Sequence, residues 1–153
     1  MAVEIRDVLV FTCGSVRFAI PIRLTQKVIQ AQEITPVSSS LKQVVGVIDY
    51  HGEIIPVISL REYFQQPAKE LEPSDRFIII DNLRIKIALV ADDTEDIVSF
   101  SKDQIKEVKT VFQGLSLFKL VNNNKGIVYI YDPESVFSRT ELADLEKLTK
   151  KGA

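Results

Sequence analysis

His51 and Cys13 are the only histidine and the only cysteine in the 153 residues. Histidine is the side chain most often used for acid–base work near neutral pH, and cysteine is the strongest common nucleophile. Their scarcity removes whole classes of chemistry. A single thiol forms no intrachain disulfide and no Cys-rich zinc site, and a single imidazole forms no two-His metal site. Cys13 ends the apolar run Val10-Phe11-Thr12 with no nearby base or cation in sequence, which reads as a buried structural thiol. His51 precedes Gly52 at a turn tip and has no evident orienting partner, so it reads as a surface contact residue. Asp92, Thr94, Asp96 and Asp103 fall at positions one, three, five and twelve of a calcium-loop count. Position six, however, is Ile97, where such a loop needs Gly for its sharp turn. The expectation there is a solvated acidic turn and no metal. No Gly-x-Gly-x-x-Gly, Walker A, His-Glu-x-x-His or Gly-x-Ser-x-Gly pattern occurs. With no positioned catalytic set, the chain reads as a binding protein with no cofactor, and not as an enzyme.

Whatever the chain binds, strands must present it. Ile and Val together number 35, against 13 Leu and 8 Ala. Branched side chains pack well on a pleated surface. Val8–Cys13 and Arg17–Ile22 flank Gly14-Ser15, a two-residue hairpin signal. Val44–Tyr50 and Glu53–Ile58 flank His51-Gly52 in the same way. Pro56 cannot donate to a ladder, so its strand should be an edge there or carry a bulge. Leu24 to Ile34 is open between helix and strand, and Leu60 to Phe64 reads as one helical turn. Arg76–Ile80 pairs with Ile85–Val90 across residues 81–84. A short strand, Ile97–Phe100, follows the acidic corner, and Leu115–Val121 with Ile127–Tyr131 makes a closing hairpin. The tail is helical: Ser138 with Glu141 fits a capping box, and Leu142, Leu145 and Leu148 make one narrow apolar stripe. About ten short strands and one terminal helix predict an all-β architecture, closed or nearly closed.

Charge sets further limits. The formal net charge is −2, which argues against a nucleic-acid backbone as the main partner. Residues 51–100 hold five basic and ten acidic groups, whereas residues 101–153 hold nine and seven. No apolar run nears the roughly 20 residues that a spanning helix needs, and the first residues do not read as a secretory signal. A cytoplasmic protein without membrane insertion is the expectation. A small-ligand or oligonucleotide-binding barrel is the alternative, although it would want exposed aromatics along a basic groove.

The tract Gly46-Val47-Ile48-Asp49-Tyr50-His51-Gly52-Glu53-Ile54-Ile55-Pro56-Val57-Ile58-Ser59-Leu60-Arg61 resembles the signature of the CheW-like family, adaptors of chemosensory arrays. There it typically reads Gly-Val-Ile-Asn-Leu-Arg-Gly, a few apolar residues, then Pro-Val-Val-Asp-Leu-Arg. Ile87-Ala88-Leu89-Val90-Ala91-Asp92 is similar to the family's Gly-Leu-Val-Val-Asp strand. Gln113-Gly114-Leu115 with Gly126–Pro133 is similar to its closing hairpin. The resemblance implies an all-β fold of two SH3-like β-barrel subdomains with a shared apolar core, plus a C-terminal α-helix. It places a CheW-like domain of two intertwined lobes at 1–137 and the helix and tail at 138–153. It implies a non-catalytic adaptor coupling chemoreceptors to a CheA-type histidine kinase. The partners would be the kinase's regulatory domain and the receptor's cytoplasmic tip, the latter in a groove between lobes. The family's Gly before Leu-Val is Ala88, and several further departures fall on charged positions. The family's Arg is His51, which loses a forked guanidinium. The Asp of Val-Asp-Leu-Arg is Ser59, and Lys27 of Thr25-Gln26-Lys27-Val28 stands where the family has Glu. Lys27, Val28, Asp49 and His51 are therefore the expected receptor-groove contacts, in an adaptor with altered partners.

Overall fold

Turn-forming pairs interrupt the apolar runs at short intervals, and the chain folds into hairpins held in two sheets that exchange single strands. The computed structural model describes residues 5–39, 41–64, 66–81, 85–107, 119–123, 126–133 and 137–151. Strands β1 (Ile5–Cys13) and β2 (Val16–Pro21) turn at Gly14-Ser15, where Gly14 takes a φ of 60°. Strand β3 (Thr25–Gln30) follows, so the open Leu24–Ile34 stretch resolves as strand. β4 (Val44–Tyr50) and β5 (Glu53–Ile58) form the second hairpin, and β6 (Arg76–Ile80) and β7 (Ile87–Ala91) the third. β8 (Asp93–Ser101), β9 (Ile105–Glu107), β10 (Lys119–Asn123) and β11 (Gly126–Ile130) complete the strands, and α1 (Arg139–Lys151) ends the chain.

The first sheet runs β8-β1-β2-β11-β10-β9 and the second β3-β6-β7-β5-β4. Each is built the same way. A hairpin (β1–β2 or β6–β7) takes one antiparallel neighbour (β8 or β3) and joins a second hairpin in parallel (β11 beside β2, β5 beside β7). The antiparallel neighbour is exchanged: β3 leaves β2 to pair with β6, and β8 leaves β7 to pair with β1. Thr35 bridges Val47 and rounds off the second sheet, while β8 turns through Lys102–Gln104 into β9 at the end of the first. These are the two intertwined barrel lobes with a terminal helix.

Strand alternation sorts side chains among three cores. Val8, Val10 and Ala19 face the interior of the first lobe with Phe100, Val121, Val128 and Ile130. Phe77, Ile79 and Ala88 face the interior of the second with Ile48, Ile55 and Val57. The intervening residues, Leu9, Phe11, Phe18 and Ile20 against Ile78, Ile80, Ile87 and Leu89, make the core between lobes. Helix α1 closes that shared core with Leu145, and its start is the expected capping box. The Glu141 N–H donates to Ser138 Oγ (3.1 Å) and the Ser138 N–H to Glu141 Oε1 (3.0 Å).

Three expectations shift. The acidic corner is not a turn before a short strand: β8 begins at Asp93, where Asp93 and Thr94 pair with Thr12 and Phe11. Arg17 meets Glu95 through Nη2 (3.0 Å) and Nε (3.2 Å), so part of the acidic run is neutralised locally. Strand β5 is interior, yet its parallel ladder with β7 pairs Val57 and Ile58, leaving Pro56 opposite Val47 of β4 alone. The proline thus sits where its missing N–H costs no bond to β7. Residues 111–118, including the start of the expected closing hairpin, lie outside the described residues.

Phe18 is fully buried in the shared core, stacked at 5.6 Å on Phe11 and edge-on at 5.1 Å to Phe64. Phe18→Ala should cost about 3–5 kcal/mol in urea unfolding. Because both lobes line that core, wild type and variant should each unfold in one transition. Two transitions, with only the first shifted, would contradict a shared core.

Candidate functional site

The β4–β5 turn needs left-handed backbone at both central positions, and His51 (φ 54°) and Gly52 (φ 87°) supply it. Histidine is among the side chains that tolerate this region best. Asp49 fixes the turn by accepting the Gly52 N–H at Oδ1 (2.8 Å), while its carbonyl accepts Gln32 Nε2 (3.0 Å). One carboxylate oxygen of the expected contact residue Asp49 is thereby committed to local structure.

The strand register places the other candidates. Lys27 lies opposite Ile79 and Val28 opposite Ile78. Ile79 faces the interior of the second lobe and Ile78 faces the shared core, so Lys27 and Val28 point to opposite faces of β3. Lys27 Nζ donates to the Tyr50 hydroxyl at 3.1 Å and lies 5.3 Å from its ring centre. The Tyr50 ring meets His51 edge-on at 4.3 Å. Lys27 and His51 are thus joined through Tyr50 on an exposed rim. Val28, 39% exposed, extends the inter-lobe face onto the outer strand. The first lobe repeats this arrangement: Ile97 of β8 lies opposite Leu9 and is 60% exposed.

Tyr50 was missing from the expected contacts. Its signal was available, since an aromatic hydroxyl replaces the Leu of the family's turn. A second missed feature joins the lobes. Asp92 Oδ2 accepts the Gly14 N–H (2.7 Å) and Arg61 Nη2 (2.8 Å), and the Asp92 N–H donates to Thr12 O (2.8 Å). Gln66 Nε2 adds a bond to Cys13 O (3.0 Å). Arg61 and Asp92 end two of the tracts that carry the family resemblance, and they meet as an ion pair. Asp92 is therefore no solvated turn residue. Ser59, in place of the family's Asp, accepts the Arg61 N–H at Oγ (3.3 Å), a local side-chain-to-backbone contact.

Cys13 is 2% exposed and donates to Val90 O (3.2 Å). Burial, with the Asp92 charge adding to it, pushes its thiol up to about 12. A group so placed is no nucleophile at neutral pH. Phe11, Phe18, Phe77, Phe100 and Phe137 are all buried, so they offer no stacking platform of the kind an oligonucleotide-binding barrel uses. Among the described residues no helix is long and apolar enough to cross a membrane.

Two intertwined β-barrel lobes around one shared core, with a C-terminal helix, define an all-β fold whose candidate contacts lie on turn tips and outer strands. The chain belongs to the CheW-like domain family, whose profile matches residues 7–141. It is 23% identical over 145 residues to the chemotaxis protein CheW of Treponema pallidum, covering 90% of this chain and 85% of that one. The CheW of Bacillus subtilis is 24% identical over 145 residues, covering 91% and 93%. Among solved structures, the scaffolding protein TtCheW from Thermoanaerobacter tengcongensis superposes with a TM-score of 0.71 at 21% identity, covering 84% of this chain and 90% of that one. The chain is accordingly a non-catalytic, CheW-like chemotaxis scaffold protein.

The Cys13 shift has a sign that can be checked. Its thiol keeps its proton in the folded state from the ordinary value of 9.0 up to about 12, while the unfolded chain loses it. The folded state binds more protons in that window, so this contribution to stability is complete below pH 9 and is lost as pH rises towards 12. Cys13→Ala should flatten the fall in stability between pH 9 and 11, measured by urea unfolding. A curve with the wild-type slope would contradict the assignment.

Proposed function

We propose that the chain couples chemoreceptors to a CheA-type histidine kinase, with a partner specificity altered at the receptor contact. It would act in the cytoplasm, where a lone reduced thiol is at home. The receptor's cytoplasmic tip takes the groove beside β3 and the β4–β5 turn, and the kinase's regulatory domain takes apolar lobe surfaces. The CheW-like unit is residues 1–137, and 138–153 is the C-terminal helix and tail.

The observation that carries this reading is the Lys27–Tyr50–His51 rim. Changes of residue type accumulate on it while the cores behind it stay apolar and filled. Lys27 puts an ammonium where the resemblance expects a carboxylate, and His51 an imidazole where it expects a guanidinium. A partner matched to this rim carries a different charge pattern from one matched to the family's usual residues. Val28 supplies an apolar anchor on the adjoining inter-lobe face.

Titration calorimetry against the kinase regulatory domain and the receptor tip of the same genome tests both halves. Binding of each at tens of micromolar or tighter is expected. His51→Ala should weaken receptor-tip binding by about tenfold, roughly 1.4 kcal/mol, and leave kinase binding unchanged. Equal loss of both would place His51 outside the receptor contact, and no kinase binding would remove that half of the proposal.

A further inference from the structure

A cleft of about 150 Å³ opens beside β4 and β7, away from the Lys27–Tyr50–His51 rim. Ile34, Val45, Leu71 and Val90 line its apolar side. Val45 (41% exposed) and Leu71 (39%) are two of the five large apolar side chains left exposed among the described residues. At its polar side stands Asp75, a carboxylate only 2% exposed. Asp75 Oδ2 accepts the Glu72 N–H at 2.8 Å, and both its oxygens receive Lys69 Nζ at 2.8 Å. Glu72 lies 3.9 Å and Asp92 4.0 Å from the same ammonium.

Lys69 reaches this position from outside. It belongs to the segment 67–74, every residue of which is exposed, so little packing holds it there. Partial burial works against its charge, but the Asp75 hydrogen bond and the nearby carboxylates prevail and raise its pKa. Without Lys69, the carboxylates Glu72, Asp75 and Asp92 would have Arg61 as the one cation among the residues lining the cleft, and it is itself engaged with Asp92 and the Pro67 carbonyl. A buried carboxylate that loses its cation is strongly destabilised, so whatever displaces Lys69 must bring a positive charge of its own. An exchange of one ammonium for another conserves the ion pair, whereas an acidic or neutral side chain does not.

We propose that this cleft is a second docking site, which receives a lysine flanked by aliphatic residues on a partner polypeptide, and that Lys69 is its intramolecular occupant. The incoming ammonium replaces that of Lys69 on Asp75, and the aliphatic neighbours cover Val45 and Leu71. Charge complementarity selects the lysine, and the exposed apolar walls select its neighbours. The proposal stands apart from the receptor contact, since neither Lys27 nor His51 takes part. Tethering gives Lys69 a high effective concentration, so the free site is weak until Lys69 is removed or outcompeted.

The probes are acetyl-Leu-Lys-Leu-amide and its Glu and norleucine counterparts, titrated into full-length protein with the Glu72 and Gly14 amide resonances as readout. In Lys69→Ala the lysine peptide should shift both resonances at a concentration at least tenfold lower than in wild type. The other two peptides should not, and adding Asp75→Asn should abolish the response. If Lys69→Ala leaves Asp75 unpaired and the chain does not fold, the wild-type protein still decides. Saturating lysine peptide should then raise the acetylation rate of the Lys69 amine several-fold, read by mass spectrometry. A lysine peptide no better than norleucine in Lys69→Ala, or an unchanged Lys69 acetylation rate, overturns the proposal.

Discussion

Val8, Leu9, Val10 and Phe11 are consecutive and all buried, yet neighbours face different cores. The same holds for Phe77 to Ile80 in the second lobe. Most antiparallel sheets keep one face for water, but these central strands have both faces committed, one to a lobe interior and one to the partner lobe. The exchanged strands reinforce this, because each lobe borrows its outer strand from the chain that has just built the other. One lobe cannot rotate on the other without shearing Phe11, Phe18, Ile78 and Leu89 out of register in a close-packed interior. Surfaces on the two lobes therefore keep a fixed relation.

Most of the local structure was legible because local signals decide it. Gly14-Ser15 and His51-Gly52 are turns by their own backbone preferences, and Ser138 with Glu141 caps a helix by contacts three residues apart. Double-sided burial was also written in the continuous runs Phe77–Ile80 and Val8–Phe11, although such runs do not say which core each face joins. Strand β3 was less legible. Its exposed Gln26, Lys27 and Val28 dilute the alternation, and only pairing with β6 fixes it as strand.

The charged contacts were hardest to read, for a physical reason. Asp92 looked solvated within its acidic run, yet its partners Gly14 and Arg61 are 78 and 31 residues away in sequence. No local pattern encodes a pair at that distance. The candidate site was half legible: types and turn position singled out Lys27 and His51. Their meeting through Tyr50 depends on β3 and β4 coming together as the second lobe closes, which only the folded chain shows. Asp49 was singled out by its place in the family's turn tract, while much of its hydrogen bonding serves the turn.

Double-sided burial also decides where specificity can reside. Any residue of β1, β2, β6 or β7 that faces a core on either side is constrained by packing, so changing its charge or size costs stability before it alters recognition. The positions left are turn tips, outer strands and the connection between β5 and β6. The Lys27–Tyr50–His51 rim lies on the first two, and Ile97 on the outer strand of the other lobe. The Lys69–Asp75 cleft draws on the third, where an exposed segment folds over a buried carboxylate. Exchanging Glu for Lys at position 27 leaves every core contact in place and reverses one charge on the rim. A rigid double core that tolerates little change thereby confines variation to its periphery, where a side chain can change charge without disturbing the fold.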